Sequence, residues 1–148
     1  MGKKKPQIGR LTPRYAFAIN PYPEERVSRC PRCKGLTYMR KFPLVIHLQE
    51  AEFVVLGKTC RYCAKCEFII AHQLEIEAEL ASRYRLSTNS GKRTDYTVFG
   101  TMSIPAWKKS LHNPIPMQEA LRHVSDFKEY RTISAQHTTW APAGKRSQ

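Results

Sequence analysis

The sequence predicts an α+β fold, in which one module carries all five cysteines and a further strand and short helices pack on it. Three observations predict this fold. The cysteines fall into two clusters, β-branched runs lie between the clusters, and apolar residues follow a helical period after the second cluster. The length of 148 residues suits one domain, or a compact domain with a small appended module.

Residues 1–26 are predicted to form a basic arm that is rich in proline and aromatic residues. Prolines fix φ and bias the preceding residue away from helix. The aromatic side chains Tyr15, Phe17 and Tyr22 could stack on a bound molecule or pack on the arm's own domain, and the pattern leaves both interpretations open. The cations of the arm are Lys3, Lys4, Lys5, Arg10 and Arg14.

Residues 27–86 are predicted to form the cysteine module. The β-branched runs Leu44–Leu48 and Phe53–Leu56 are separated by the polar residues 49–52, which indicates a β-hairpin. After Cys66 the apolar residues recur three and four positions apart, so a long helix is expected from about residue 64 to about residue 86.

Residues 87–133 are predicted to form a strand and two helical stretches that pack on the long helix. Turn-forming residues occupy 87–93, and Asp95–Met102 reads as a strand. Pro105–Leu111 suits a short helix with proline in its first turn. A second helical stretch starts at Ile115, and its apolar face comprises Met117, Leu121, Val124 and Phe127. Residues 134–148 are predicted to be a flexible tail.

The cysteines have the spacing of metal ligands. Cys30 and Cys33 form one C-x2-C pair, and Cys60, Cys63 and Cys66 offer a second pair in two ways. Two such turns brought together by a hairpin make a closed tetrahedral site for one Zn²⁺ ion. The proline and glycine in CPRCKG are typical of a zinc knuckle.

This pattern resembles the zinc-ribbon and treble-clef group of small zinc folds, over residues 28 to about 85. The resemblance to a treble clef implies that the last two ligands come from the first turn of the long helix, where unpaired N–H groups favour thiolates. It therefore favours Cys30, Cys33, Cys63 and Cys66 as ligands of one structural zinc ion, with Cys60 as the alternative ligand.

Two other sites remain open, because C-x2-C-x2-C with a distant cysteine also occurs in iron–sulfur proteins, and His72 could be a ligand. A closed Cys₄ site has no open position for a substrate. The segment SGKRT at 90–94 lacks the earlier glycine and the Ser/Thr of a phosphate loop, and the zinc-deaminase signature is absent. The sequence therefore favours a non-enzymatic protein.

The charge predicts a polyanionic partner. With 25 Lys and Arg against 12 Asp and Glu, the net charge is +13, and cations on phosphates release condensed counterions. We expect nucleic acid, RNA or a ribonucleoprotein, to be the partner, in a ribonucleoprotein or transcription assembly. The alternative is a protein-interaction adaptor that docks through the acidic helix and the Trp107 region.

Besides the arm, the candidate nucleic-acid-binding residues are Arg29, Arg32, Lys34, Arg61, Lys65, Lys92, Arg93, Lys108 and Lys109. The cations near the cysteines could instead compensate the charge of a Cys₄–zinc centre, which is −2.

The sequence also predicts a cytoplasmic protein with no membrane partner. No run approaches the ~18 apolar residues of a membrane span, and MGKKKPQIGR has no apolar core of a secretory signal behind its charges. In a reducing compartment, paired cysteines bind metal more often than they form disulfides.

Overall fold

The computed structural model describes residues 7–48, 52–84 and 96–133, and in these residues the fold is mostly β. The strands are β1 (Ala16–Asn20), β2 (Tyr38–Leu48), β3 (Glu52–Cys63), β4 (Phe68–His72), β5 (Tyr96–Met102), β6 (Val124–Asp126) and β7 (Glu129–Thr132). They form a seven-stranded mixed sheet in the order β6-β5-β2-β3-β4-β1-β7. The predicted α+β treble-clef or zinc-ribbon module with a long helix is therefore wrong.

The helices are short. They are α1 (Gln73–Tyr84), α2 (Ile104–His112) and α3 (Met117–Ala120), and a 3₁₀ turn at Leu121–His123 follows α3. The helix predicted over 64–86 begins only at Gln73 because Phe68–His72 forms β4. This strand pairs in parallel with β1 on one side and antiparallel with β3 on the other. A strand buried on both faces reads as a continuous apolar run, which periodicity cannot distinguish from a buried helix.

Among the described residues, one compact unit comprises 15–41, 58–84 and 129–133. Its central strand is β1, which pairs in parallel with both β4 and β7. The aromatic residues of the predicted arm belong to this core. Phe17 is fully buried, and the ring of Tyr15 packs edge-on against Tyr62 with centroids 5.9 Å apart. Of the two interpretations left open for these aromatics, packing on their own domain is the one observed for Tyr15 and Phe17.

The described residues of a second unit are 7–14, 42–48, 52–57 and 96–128. In it β5 pairs antiparallel with β2 and with β6. The backbone N–H groups of Ile8 and Gly9 donate to the carboxylate of Asp126 at 2.8 and 2.6 Å, which fixes the beginning of the described chain beside β6. The core of this unit comprises Val45, Phe99, Met102, Ala120 and Val124.

Several local predictions are confirmed. The hairpin of β2 and β3 is present with longer strands than expected, and β5 and α2 lie where they were predicted. Ser103 caps α2 by accepting the backbone N–H of Ala106 at 3.4 Å. The second helical stretch is too long in the prediction, because Val124 begins β6 and pairs with Met102. The predicted tail, 134–148, lies outside the described residues.

Candidate metal centre

Two tight turns in the first unit bring four cysteines together. Cys30 and Cys33 flank the turn before β2, Cys63 is the last residue of β3, and Cys66 lies in the turn that joins β3 to β4. In each turn the residue after the second cysteine is left-handed, with φ of 66° at Lys34 and 51° at Glu67. The two turns therefore have similar backbones, although one precedes a strand and the other connects a hairpin.

The four sulfur atoms have the spacing of a mononuclear metal site. All of them lie within 4.8 Å of one another, and two of the sulfur–sulfur distances are 3.8 Å for Cys30–Cys66 and 3.6 Å for Cys33–Cys63. A regular tetrahedron with metal–sulfur bonds of about 2.3 Å has edges of about 3.8 Å. The cluster therefore fits one ion and is too narrow for an iron–sulfur cluster, in which the cysteines bind different iron atoms.

Backbone N–H groups point at three of these sulfurs. Arg32 donates to Cys30 at 3.3 Å, Gly35 to Cys33 at 3.4 Å, and Cys66 to Cys63 at 3.5 Å. Hydrogen bonds to a charged sulfur favour the thiolate, which is the form that binds a metal. These contacts arise from the turns themselves, and not from a helix N-terminus as the treble-clef resemblance implied, because α1 begins after β4.

The thiols differ in acidity without a cation. The backbone N–H of Gly35 is the main cause that lowers the pKa of Cys33 to about 7. Burial, followed by the neighbouring thiols, raises the pKa of Cys66 to about 12. Burial also raises the pKa of Cys30. Without a cation, Cys30 and Cys66 therefore hold their protons more firmly than ordinary thiols.

Cys60 lies apart from this group. Its thiol donates to the backbone carbonyl of Lys58 at 3.4 Å, and burial raises its pKa to about 12. Its sulfur is not one of the four grouped sulfurs, so Cys60 is not placed to bind the same ion. His72, the other candidate from the sequence, is the last residue of β4 and is not one of the four grouped residues.

The cations predicted near the cysteines have different surroundings. Arg32 pairs with Glu129, and its guanidinium carbon lies 4.8 Å from the ring centroid of Phe68. Arg61 donates to the carbonyl of Thr37 at 3.4 Å. The side chains of Arg29, Lys34 and Lys65 are exposed, so these three are the ones best placed to meet a partner.

The other predicted contact residues lie elsewhere. Arg10, Arg14, Lys108 and Lys109 are exposed residues of the second unit. Trp107 packs against the core of that unit and is only partly accessible. Lys3, Lys4, Lys5, Lys92 and Arg93 lie outside the described residues.

The structure adds surface residues that the sequence analysis did not select. Between Arg26 and Lys41 the chain has six basic residues and no acidic residue. Three large apolar side chains in this segment, Leu36, Tyr38 and Met39, are exposed. Counting charged residues over shorter stretches of the sequence would have found this basic segment. Only the structure shows that its three large apolar side chains face solvent.

Comparison with known proteins does not identify the chain. No protein-family model, no curated protein and no solved structure matches it. Within the described ranges, none of the helices combines the length and the apolar character that crossing a membrane requires. The function must therefore be inferred from the chemistry of the four-cysteine cluster and of the basic surface.

Proposed function

We propose that the protein is a zinc-stabilised, non-enzymatic nucleic-acid-binding protein. The observation that carries the proposal is the closed group of four cysteine sulfurs. Four protein ligands fill a tetrahedral coordination shell, so the ion would stabilise the fold and would not bind a substrate. Zinc is the ion that tetrahedral all-thiolate sites most often select.

The charge of the chain supports nucleic acid as the partner. The net charge is +13, and Arg29, Lys34 and Lys65 present exposed cations on the two turns that carry the ligands. The ion would hold these turns together, and with them their cations. Since no base-reading motif is present, recognition would depend on the phosphate backbone and on shape.

The proposed setting is the reducing interior of a cell. There the thiols would stay available for metal, because disulfides are rare. An accessory role in a ribonucleoprotein or transcription assembly, with RNA as the nucleic acid, is consistent with a small basic protein of this kind.

The test measures metal and binding on the same preparation. The full chain is purified without added metal, its zinc and iron are quantified by mass spectrometry, and its affinity for labelled RNA and DNA is measured between about 50 and about 200 mM salt. We expect one zinc per chain and an affinity whose logarithm falls linearly with the logarithm of the salt concentration.

Two results would overturn the proposal. An absence of bound metal, with the chain still folded, would remove the zinc centre. Salt-insensitive capture of one protein from its own cells, with no nucleic acid bound by the purified chain, would make the protein an interaction adaptor instead.

A further inference from the structure

The first turn leads directly into an exposed strand segment with unusual side chains. Leu36, Tyr38 and Met39 are 70%, 47% and 54% exposed. Tyr38 and Met39 are consecutive residues of β2, so their side chains point to opposite faces of the sheet. Single exposed apolar residues are common on protein surfaces, but the exposed ring of Tyr38 with Leu36 two positions before it makes a candidate interaction site. The segment belongs to the same unit as the metal centre.

Basic residues surround these apolar side chains. The segment from Arg26 to Lys41 contains six bases and no acid. All six bases are exposed, and Arg32 pairs with Glu129; the other five are Arg26, Arg29, Lys34, Arg40 and Lys41. A surface rich in positive charge attracts polyanions and repels other cationic surfaces.

Tyr38 is held in place while its ring stays accessible. Its ring packs edge-on against Tyr62, with centroids 5.7 Å apart and planes at 83°. Tyr62 is buried and is itself packed against Tyr15. The guanidinium carbon of Arg40 lies 5.2 Å from the ring centroid of Tyr62. Tyr38 is therefore an anchored aromatic ring beside a cation, which is the arrangement on which unpaired bases stack.

We infer that this surface binds single-stranded nucleic acid. Unpaired bases stack on Tyr38 and contact Leu36, and the phosphates lie on Arg29, Lys34 and Arg40. A duplex keeps its bases stacked inside the helix and offers none to Tyr38, so the site prefers single strands. This inference rests on the proposed function and specifies the form of nucleic acid and the surface.

The test compares single-site variants of the full zinc-loaded chain. The probes are labelled mixed-sequence RNA and DNA of about 20 nucleotides, each as a single strand and as a duplex. We expect Tyr38→Ala to weaken single-strand binding about 5- to 150-fold, the loss of one stacked base, and to leave duplex binding nearly unchanged. Tyr38→Phe should keep most of the affinity, because the ring remains.

Matched controls separate a local loss from a general one. Tyr130→Ala removes another half-exposed tyrosine of the same unit, 41% exposed and packed against Phe17, and should bind like wild type. Arg40→Glu should weaken binding more than Lys108→Glu, which places the same charge change on α2. Zinc content and the melting temperature verify that each variant is folded.

The outcomes distinguish the two proposals. If the unchanged protein binds no nucleic acid, the proposed function fails and this inference fails with it. If the protein binds nucleic acid but Tyr38→Ala retains full affinity, or if duplexes bind as tightly as single strands, only this inference is overturned. Tight binding to vesicles of anionic phospholipid, with no preference for single strands, would assign the surface to a membrane.

Discussion

Replacing Cys66 and replacing Cys60 should have opposite effects on metal binding. Both residues are cysteines of the second cluster, six positions apart in the chain. The Cys66 sulfur is one of the four grouped sulfurs, whereas the Cys60 thiol points at the carbonyl of Lys58. Cys66→Ser should therefore lose zinc, and Cys60→Ser should keep one zinc per chain.

The expected loss of stability in each variant follows from the position of the sulfur atom that it removes. Cys30 and Cys63 are buried in a core cluster with Val27, Phe68 and Ile133, so the ion would join two segments through the core. Structural zinc contributes about 10–16 kcal/mol of apparent binding free energy, which is comparable with the whole stability of a domain, about 5–15 kcal/mol. Loss of the ion should prevent cooperative folding of the unit that contains these residues.

Cys60→Ser should cost far less. Burying a hydroxyl in place of a thiol costs about 1–3 kcal/mol, and the serine can donate to the same carbonyl, which keeps the loss near the lower end. Zinc content by mass spectrometry, together with thermal unfolding with and without a chelator, measures both effects. The reasoning is refuted if Cys60→Ser loses the metal while Cys66→Ser retains it.

Three further predictions concern pH and packing. Zinc affinity should rise at least about 100-fold per pH unit between about pH 6 and about pH 8, because Cys30 and Cys66, whose pKa values are raised, alone release two protons when the metal binds; competition with a chromophoric chelator measures this, and a pH-independent affinity would contradict it. Cys60 has a folded pKa of about 12 against an ordinary value of 9.0. The contribution of its neutral thiol to stability is therefore complete below pH 9.0 and is lost progressively as the pH rises from 9.0 to about 12. The difference in unfolding free energy between wild type and Cys60→Ala should change by about 1.4 kcal/mol per pH unit in that range, and a constant difference would exclude the effect. Gly100→Ala should destabilise the second unit by about 1–3 kcal/mol in chemical denaturation, because the added methyl would meet the backbone of Ser125 in β6; an unchanged midpoint would show that β6 can move.

The local signals in the sequence were sufficient for several elements. The runs at 44–48 and 53–56 became parts of β2 and β3, and Pro105 marks the first turn of α2, as its fixed φ favours. The grouping of the cysteines was also accessible, because a C-x2-C turn determines its own geometry. In each case the residues within the element and next to it determine its local structure.

The errors occurred where distant segments decide the structure. Phe68–Ala71 is an apolar run that could be helix or strand, and it becomes β4 because β1, about fifty residues earlier in the chain, pairs with it. In the same way Val124–Asp126 leaves the helical pattern to pair with β5. Parallel pairing between segments so far apart leaves no local pattern, so propensity and periodicity could not reveal it.

The metal centre and the Tyr38 surface are joined by a short piece of chain. Only four residues separate Cys33 from Tyr38, and the bridge between Arg29 and Leu36 closes the turn between them. The N–H of Cys30 also donates to the carbonyl of Gly35 at 2.8 Å. A metal bound to Cys30 and Cys33 would therefore fix the backbone that presents Lys34, Leu36 and Tyr38. The ion would not contact the nucleic acid, but by fixing this backbone it would reduce the conformational entropy lost when a strand of nucleic acid binds. Removal of zinc should therefore weaken the binding of nucleic acid even where the second unit remains folded.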